Sequence, residues 1–170
     1  MAPYPNIVIM GVSGCGKSSI AARLALRLGA TFIEGDGFHS AQNIVRMAAG
    51  IALTDAERAG WLQALAARLA AGRQRGERMV LACSALKRHY RDVLRGGDPA
   101  LLFVHLYGDY ALIAQRMTER PDHFMPLTLL DSQFRDLQTP QVDEAALYFD
   151  VHATPAALVE AITARLFIGT

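Results

Sequence analysis

The residues best suited to chemistry lie near the start of the chain. Gly11-Val12-Ser13-Gly14-Cys15-Gly16-Lys17-Ser18 satisfies G-x-x-x-x-G-K-[ST] in full. An apolar run, Asn6 to Met10, precedes it and a helical pattern follows, which is the context the motif requires. Glycines at these spacings let successive backbone N–H groups turn inward around phosphate oxygens. The helix N-terminus behind them adds partial positive charge. Gly11 through Ser19 is therefore the expected nucleotide-binding segment, with Lys17 reaching the outer phosphates and Ser18 ligating Mg2+. The bland alternative is a glycine-rich turn with a surface lysine, and the full spacing speaks against it. A guanine-reading N-K-x-D is absent, and the chain is too short for a motor or large ATPase. A kinase acting on a small molecule or nucleotide, with ATP and Mg2+ as cofactors, fits these limits.

Such an enzyme needs an acceptor side. Asp36 ends the second apolar run and can take a proton from a hydroxyl or hold magnesium through water. The plain alternative is a turn aspartate. His39 follows three residues later; alone it would read as a satisfied histidine, and its place after Asp36 makes it a substrate-binding candidate. Lys87, Arg91 and Arg95 recur at four-residue spacing, a basic stripe on one helical face. Lys87 and Arg91 are candidates for holding an anionic, polyhydroxylated acceptor, whereas Arg95 and Arg88 read as a solvated face. Arg116 and Arg120 come after the fourth strand. Arginine brought late against a transferring phosphoryl group stabilises its charge, and the plain alternative for both is a helix-surface arginine.

These side chains must be positioned by the elements between them. Short apolar runs at Asn6 to Met10, Thr31 to Glu34, Met79 to Cys83, Leu101 to Leu106 and Leu147 to Val151 read as five strands. Helical patterns separate them. Caps are expected at Ser40, Thr54 (with Glu57 completing a capping box), Ser84, Asp109 and Thr154, the last followed by Pro155 at the first helical position. Unbroken apolar strands alternating with helices imply a parallel sheet covered on both faces, a three-layer α/β/α fold. Ligands in such folds bind beyond the carboxyl ends of the strands, where the loop, Asp36 and the Lys87 segment fall.

Composition narrows the class further. The chain has 170 residues, 52% hydrophobic and 19% charged, which suits one globular domain and excludes a disordered tail. Net charge is +1, so no field exists for non-specific nucleic-acid binding, and no nucleic-acid partner is expected. Two cysteines, Cys15 and Cys83, make neither a disulfide framework nor a zinc site. No apolar run approaches a membrane helix, and Met1 to Pro5 lacks the basic start of a signal peptide. A soluble, cytoplasmic protein without membrane partners is the expectation.

Four blocks then make a resemblance specific. They are Gly11 to Ser18; Gly35-Asp36-x-x-His39 through Asn43 and Met47; Gly50 to Leu62, with Leu53, Asp55, Arg58, Trp61 and Leu62; and Cys83-Ser-Ala-Leu-Lys87-Arg-His-Tyr90-Arg91-Asp92-x-Leu94-Arg95. A weaker fifth holds His123-Phe-Met-Pro126 with Ser132-Gln-Phe134 and Leu137. The chain resembles the gluconokinases, phosphate-loop kinases related to shikimate kinase and adenylate kinase. The resemblance implies a P-loop kinase fold spanning 1–170 as one domain, an acceptor-binding segment at about 36–75 and a small lid at about 117–135. It implies transfer of the ATP γ-phosphoryl to the 6-hydroxyl of D-gluconate, and a homodimer. It adds Arg58 and His123 to the substrate-binding set of Asp36, His39, Lys87 and Arg91, and it makes Arg120 of the lid catalytic and Arg116 nucleotide-binding. A kinase for another small acid such as shikimate, or a nucleotide-sensing regulator without transfer, stands as the alternative. Ser40, Ala52 and Gly60 replace prolines usual in the family, Arg46 a common lysine and Cys15 a common serine. The lost prolines should loosen the acceptor segment.

Overall fold

Each apolar run becomes a strand, and four of the five capped patterns become helices that start at the expected cap. The computed structural model describes residues 4–120 and 126–168. The strands are β1 (Ile7–Met10), β2 (Thr31–Glu34), β3 (Met79–Ala82), β4 (Leu102–Tyr107) and β5 (Ala146–Asp150). The helices are α1 (Lys17–Leu28), α2 (Ala41–Ala48), α3 (Asp55–Gln74), α4 (Arg88–Gly97), α5 (Tyr110–Thr118), α6 (Leu127–Asp136) and α7 (Pro155–Phe167). A 3-10 turn, Gly35–Phe38, leaves β2.

All five strands form one parallel sheet in the order β2-β3-β1-β4-β5. The direction of each crossover, taken right-handed, puts α1 and α7 on one face and α2 to α6 on the other. α1 does pack on α7, and α3 on α4. β1 is central, and Val8, Ile9 and Met10 have no exposed surface. Every β1 side chain thus faces a helical layer, which is why the strand reads as a continuous apolar run.

Four expected caps form. The Ser40, Thr54, Asp109 and Thr154 side chains each accept the backbone N–H three residues on. The capping box closes on one arm only, because the Glu57 carboxylate lies 3.1 Å from Arg46 Nε. Ser84 is a correction: it caps nothing, and α4 begins four residues later at Arg88. Three bonds hold the intervening loop out of the helix. The Gly11 N–H donates to the Ser84 carbonyl at 3.2 Å. The Arg91 guanidinium takes the Ala85 and Leu86 carbonyls at 2.8 and 3.2 Å. Strand ends differ from expectation by about one residue, and α6 is a helix the sequence pattern did not announce. Its N-cap is Pro126, which supplies no capping side chain.

Candidate active site

The phosphate loop leaves β1 at the centre of the sheet. Gly11 has φ 147°, and a Cβ there would stand 2.5 Å from the Leu106 carbonyl of β4. Gly16 ends the loop in the left-handed region and places Lys17 at the first position of α1. The Lys17 ammonium donates to the Val12 carbonyl at 2.9 Å, within the loop itself. The Ser18 hydroxyl donates to the Glu34 carboxylate. Glu34 also accepts the Asp36 N–H at 3.4 Å, drawing the end of β2 against the start of α1. Sequence reading singled out Asp36 and missed Glu34. The available signal was a second acid two residues earlier, on the same strand end.

Asp36 is exposed, and its carboxylate accepts no hydrogen bond from a described residue. Gly35 before it is obligatory, since a Cβ would stand 2.3 Å from the Ala82 carbonyl. His39 stacks on Trp61 with ring centroids 4.2 Å apart. Trp61 is 4% exposed and donates its indole N–H to the Gly35 carbonyl at 2.8 Å, so it is both core and backing for His39. Burial holds the His39 pKa below its ordinary value; Asp36 opposes that and Arg58 reinforces it. His39 is therefore a neutral imidazole at pH 7.

Two hollows flank the first turn of α3. One, of about 530 Å³, lies between α2 and α3 and holds His39, Arg46 and Glu57. The other, of about 750 Å³, is lined by Leu53, Asp55, Arg58, Lys87, Arg135 and Asp136. Arg58 donates to the Tyr90 hydroxyl at 2.7 Å and pairs with Asp136 at 3.3 Å. Lys87 pairs with Asp55 at 3.1 Å, and Tyr90 donates to the same carboxylate at 2.5 Å. The Tyr90 hydroxyl, then Lys87, hold the Asp55 carboxyl below its ordinary range. The bond to Asp55 in turn raises Lys87, which stays a cation.

A third cavity, of about 520 Å³, opens on the other side of the phosphate loop. Gly14, Cys15, Gly16 and Ser19 line it together with Arg116, Arg120 and His152. Arg116 donates to the Val151 carbonyl at 2.7 Å. The sequence-derived nucleotide residues from Gly14 to Ser19, with both arginines, thus border one space or the adjoining start of α1.

Arg91 is elsewhere, and this corrects its expected place beside the acceptor. It has no exposed surface. Besides the Ala85 and Leu86 carbonyls, it holds Glu144 through two bonds, at 2.7 and 3.1 Å. Arg95 joins the same carboxylate at 2.9 Å. Burial pushes the Glu144 pKa up, but Arg91, Arg95 and the Gln141 N–H outweigh it and leave it at about 2. Arg91 therefore fastens the β3–α4 loop to the approach to β5. His123 lies outside the described residues. Cys83, fully buried, has its thiol pushed up to about 12, chiefly by burial, and offers no nucleophile.

The chemistry of this arrangement is legible from its donors. A backbone cradle and a lysine suit phosphate, a hydroxyl–carboxylate pair suits a hard cation, and the exposed Asp36 carboxylate follows the strand end next to them. Among the described residues no group of three or more His, Cys, Asp or Glu could hold a metal by itself. Magnesium does not need one, since one or two oxygen ligands and the phosphates suffice. No helix among the described residues is long and apolar enough to cross a membrane.

Comparison with known proteins agrees with this geometry. The AAA domain family profile matches residues 7–139. The thermosensitive gluconokinase of Escherichia coli (strain K12) is 45% identical over 139 residues, which is 82% of this chain and 74% of that protein. An unliganded sugar kinase from Janibacter sp. HTCC2649 superposes with a TM-score of 0.91 at 44% identity, covering 95% of this chain and 94% of the other. A gluconokinase from Sinorhizobium meliloti 1021 gives 0.88 at 43% identity, covering 98% and 93%.

Proposed function

The chain belongs to the gluconokinase family, and from that premise we propose that it transfers the γ-phosphoryl of ATP to the 6-hydroxyl of D-gluconate, releasing ADP and 6-phospho-D-gluconate. One observation carries the reading. The phosphate loop, the Glu34–Asp36 strand end and the cationic hollow at Arg58 and Lys87 all lie beyond the carboxyl ends of neighbouring parallel strands.

The roles follow from chemistry. Within the Gly11 to Ser19 loop, the backbone N–H groups of Gly14 and of Gly16 to Ser19 are left to cradle the phosphates, and Lys17 supplies charge that counts most as the phosphoryl group loosens. Ser18 and Glu34 are the oxygen donors that would hold Mg2+, which neutralises charge on the β- and γ-oxygens when bound. Asp36, whose exposed carboxylate accepts no hydrogen bond from a described residue, orients the acceptor hydroxyl and accepts its proton. Arg58 and Lys87 hold the gluconate carboxylate, and neutral His39 serves the polyol as donor or acceptor. Arg116 borders the nucleotide. Arg120 belongs to the segment at about 117–135 that serves as lid, and reaches the transferring group. A cytoplasmic homodimer, one domain per chain, completes the reading.

ADP release should appear with D-gluconate and Mg2+, and not with shikimate or without an acceptor. Lys17→Ala should lower kcat by about two orders of magnitude or more while the thermal midpoint holds. ADP release indifferent to acceptor would point instead to a nucleotide-binding regulator with idle hydrolysis.

A further inference from the structure

The phosphate loop is bonded to a side chain 120 residues away. The Ser13 N–H donates to Gln133 Oε1 of α6 at 2.6 Å. Ser13 was counted above among the loop donors for phosphate, and here a protein oxygen takes that N–H.

The bond matters because of what shares the peptide. The Ser13 N–H and the Val12 carbonyl are two ends of one planar amide, pointing oppositely in a trans unit. That carbonyl accepts the Lys17 ammonium at 2.9 Å and the Cys15 N–H at 3.4 Å. A side chain that fixes the N–H end therefore fixes the carbonyl end, and with it the seat of the loop lysine. Backbone N–H groups in glycine-rich loops turn easily; here one of them is held from outside.

Gln133 is itself well held. Leu129 and Leu130, one turn earlier, are buried at 4% and 0% exposure. One turn later, Asp136 pairs with Arg58 in the acceptor hollow. Gln138, just past the helix, donates its N–H to the Leu86 carbonyl at 2.8 Å and accepts the Arg88 N–H at 2.9 Å. α6 is thus bonded to the phosphate loop at one point and to the acceptor wall at the next.

We propose that Gln133 is a positioning residue for Lys17, acting through the Val12–Ser13 peptide, and that α6 thereby sets the loop lysine in register with the acceptor wall. This rests on the phosphoryl-transfer reading above. No atom of Gln133 need touch the substrate; its carboxamide oxygen orients the amide that seats the ammonium. Because Lys17 acts most strongly on the transition state, loss of Gln133 should fall on kcat rather than on either KM.

The test is a double-mutant cycle on the full chain, with steady-state kinetics and, for slow variants, single turnovers at excess enzyme. Wild type must first form ADP only with D-gluconate; if it does not, the phosphoryl-transfer reading fails, whatever Gln133 does. Given that activity, Gln133→Ala and the length-preserving Gln133→Met should each lower kcat about tenfold, with both KM values within about threefold, because the loss is specific to the transition state. Their thermal midpoints should stay close to wild type. In a Lys17→Ala background the same substitutions should cost less than about twofold, since residues acting through one group are non-additive. Equal losses in the two backgrounds would overturn the proposal, as would a kcat within twofold of wild type. A loss that tracks a lowered thermal midpoint in both variants would overturn it too, by making Gln133 a packing residue.

Discussion

Lys87 and Arg91 stand four residues apart in a basic stripe, yet they occupy opposite kinds of site. Lys87 is at the lip of the acceptor hollow, paired with an Asp55 whose side chain is 55% exposed. Arg91 is wholly enclosed, paired with a Glu144 whose side chain is 1% exposed. The four-residue rule assumes that both positions are helical. Lys87 is the N-cap, with extended backbone at φ −99° and ψ 146°, so its side chain leaves the helical stripe. Arg91 is one turn inside α4 and faces the core. The comparison separates a cation left accessible to a ligand from one consumed by the scaffold, and burial of the partner carboxylate is what tells them apart.

The sharpest way to break this contrast is Glu144→Gln. It strands the Arg91 charge in the interior, and removing one partner of a buried pair costs about 3–5 kcal/mol. Urea denaturation should show that loss, while kcat on the folded fraction persists. A variant as stable as wild type would place the pair among weak contacts. The same pair sets an acid limb. Glu144 is held at about 2 against an ordinary 4.5, so its contribution is whole above about pH 4.5 and is lost as pH falls toward 2. Stability measured between pH 5 and pH 3 should therefore fall more steeply in wild type than in Glu144→Gln.

Lys87→Ala sharpens the other half. Loss of a charge-assisted hydrogen bond to the acceptor should cost about 1.5–3 kcal/mol, raising KM for gluconate roughly ten- to a hundred-fold. KM for ATP and the denaturation midpoint should barely move. A KM for gluconate unchanged within twofold would make Lys87 a surface cation after all. The smallest effect belongs to Asp55→Asn. Its pair with Lys87 is largely exposed, and such pairs contribute about 0.2–1 kcal/mol, so urea midpoints should shift only slightly.

Much of this was open to reading beforehand. The phosphate loop, the five parallel strands and four of five caps depend on local pattern, and local pattern is what a sequence displays. Arg91 was misplaced because periodicity reports which residues share a face, not whether that face is wet. Glu34 escaped notice because its partner, Ser18, is sixteen residues away and comes close only once β2 pairs beside β3. α6 stayed hidden because Pro126 gives a helix start without a capping oxygen. The bond from Ser13 to Gln133 joins residues that no short-range rule relates.

The sheet order also governs how the chain comes off the ribosome. β1, the phosphate loop, β2 and β3 emerge before β4, and in the sheet these three strands are neighbours in the order β2-β3-β1. The other side of β1 stays bare until Leu102–Tyr107 arrives, a short, fully apolar strand edge of the kind that recruits stray chains. The same arriving strand brings the Leu106 carbonyl against Gly11. Masking the sticky edge and walling in the loop are thus one docking event in the life of the nascent chain.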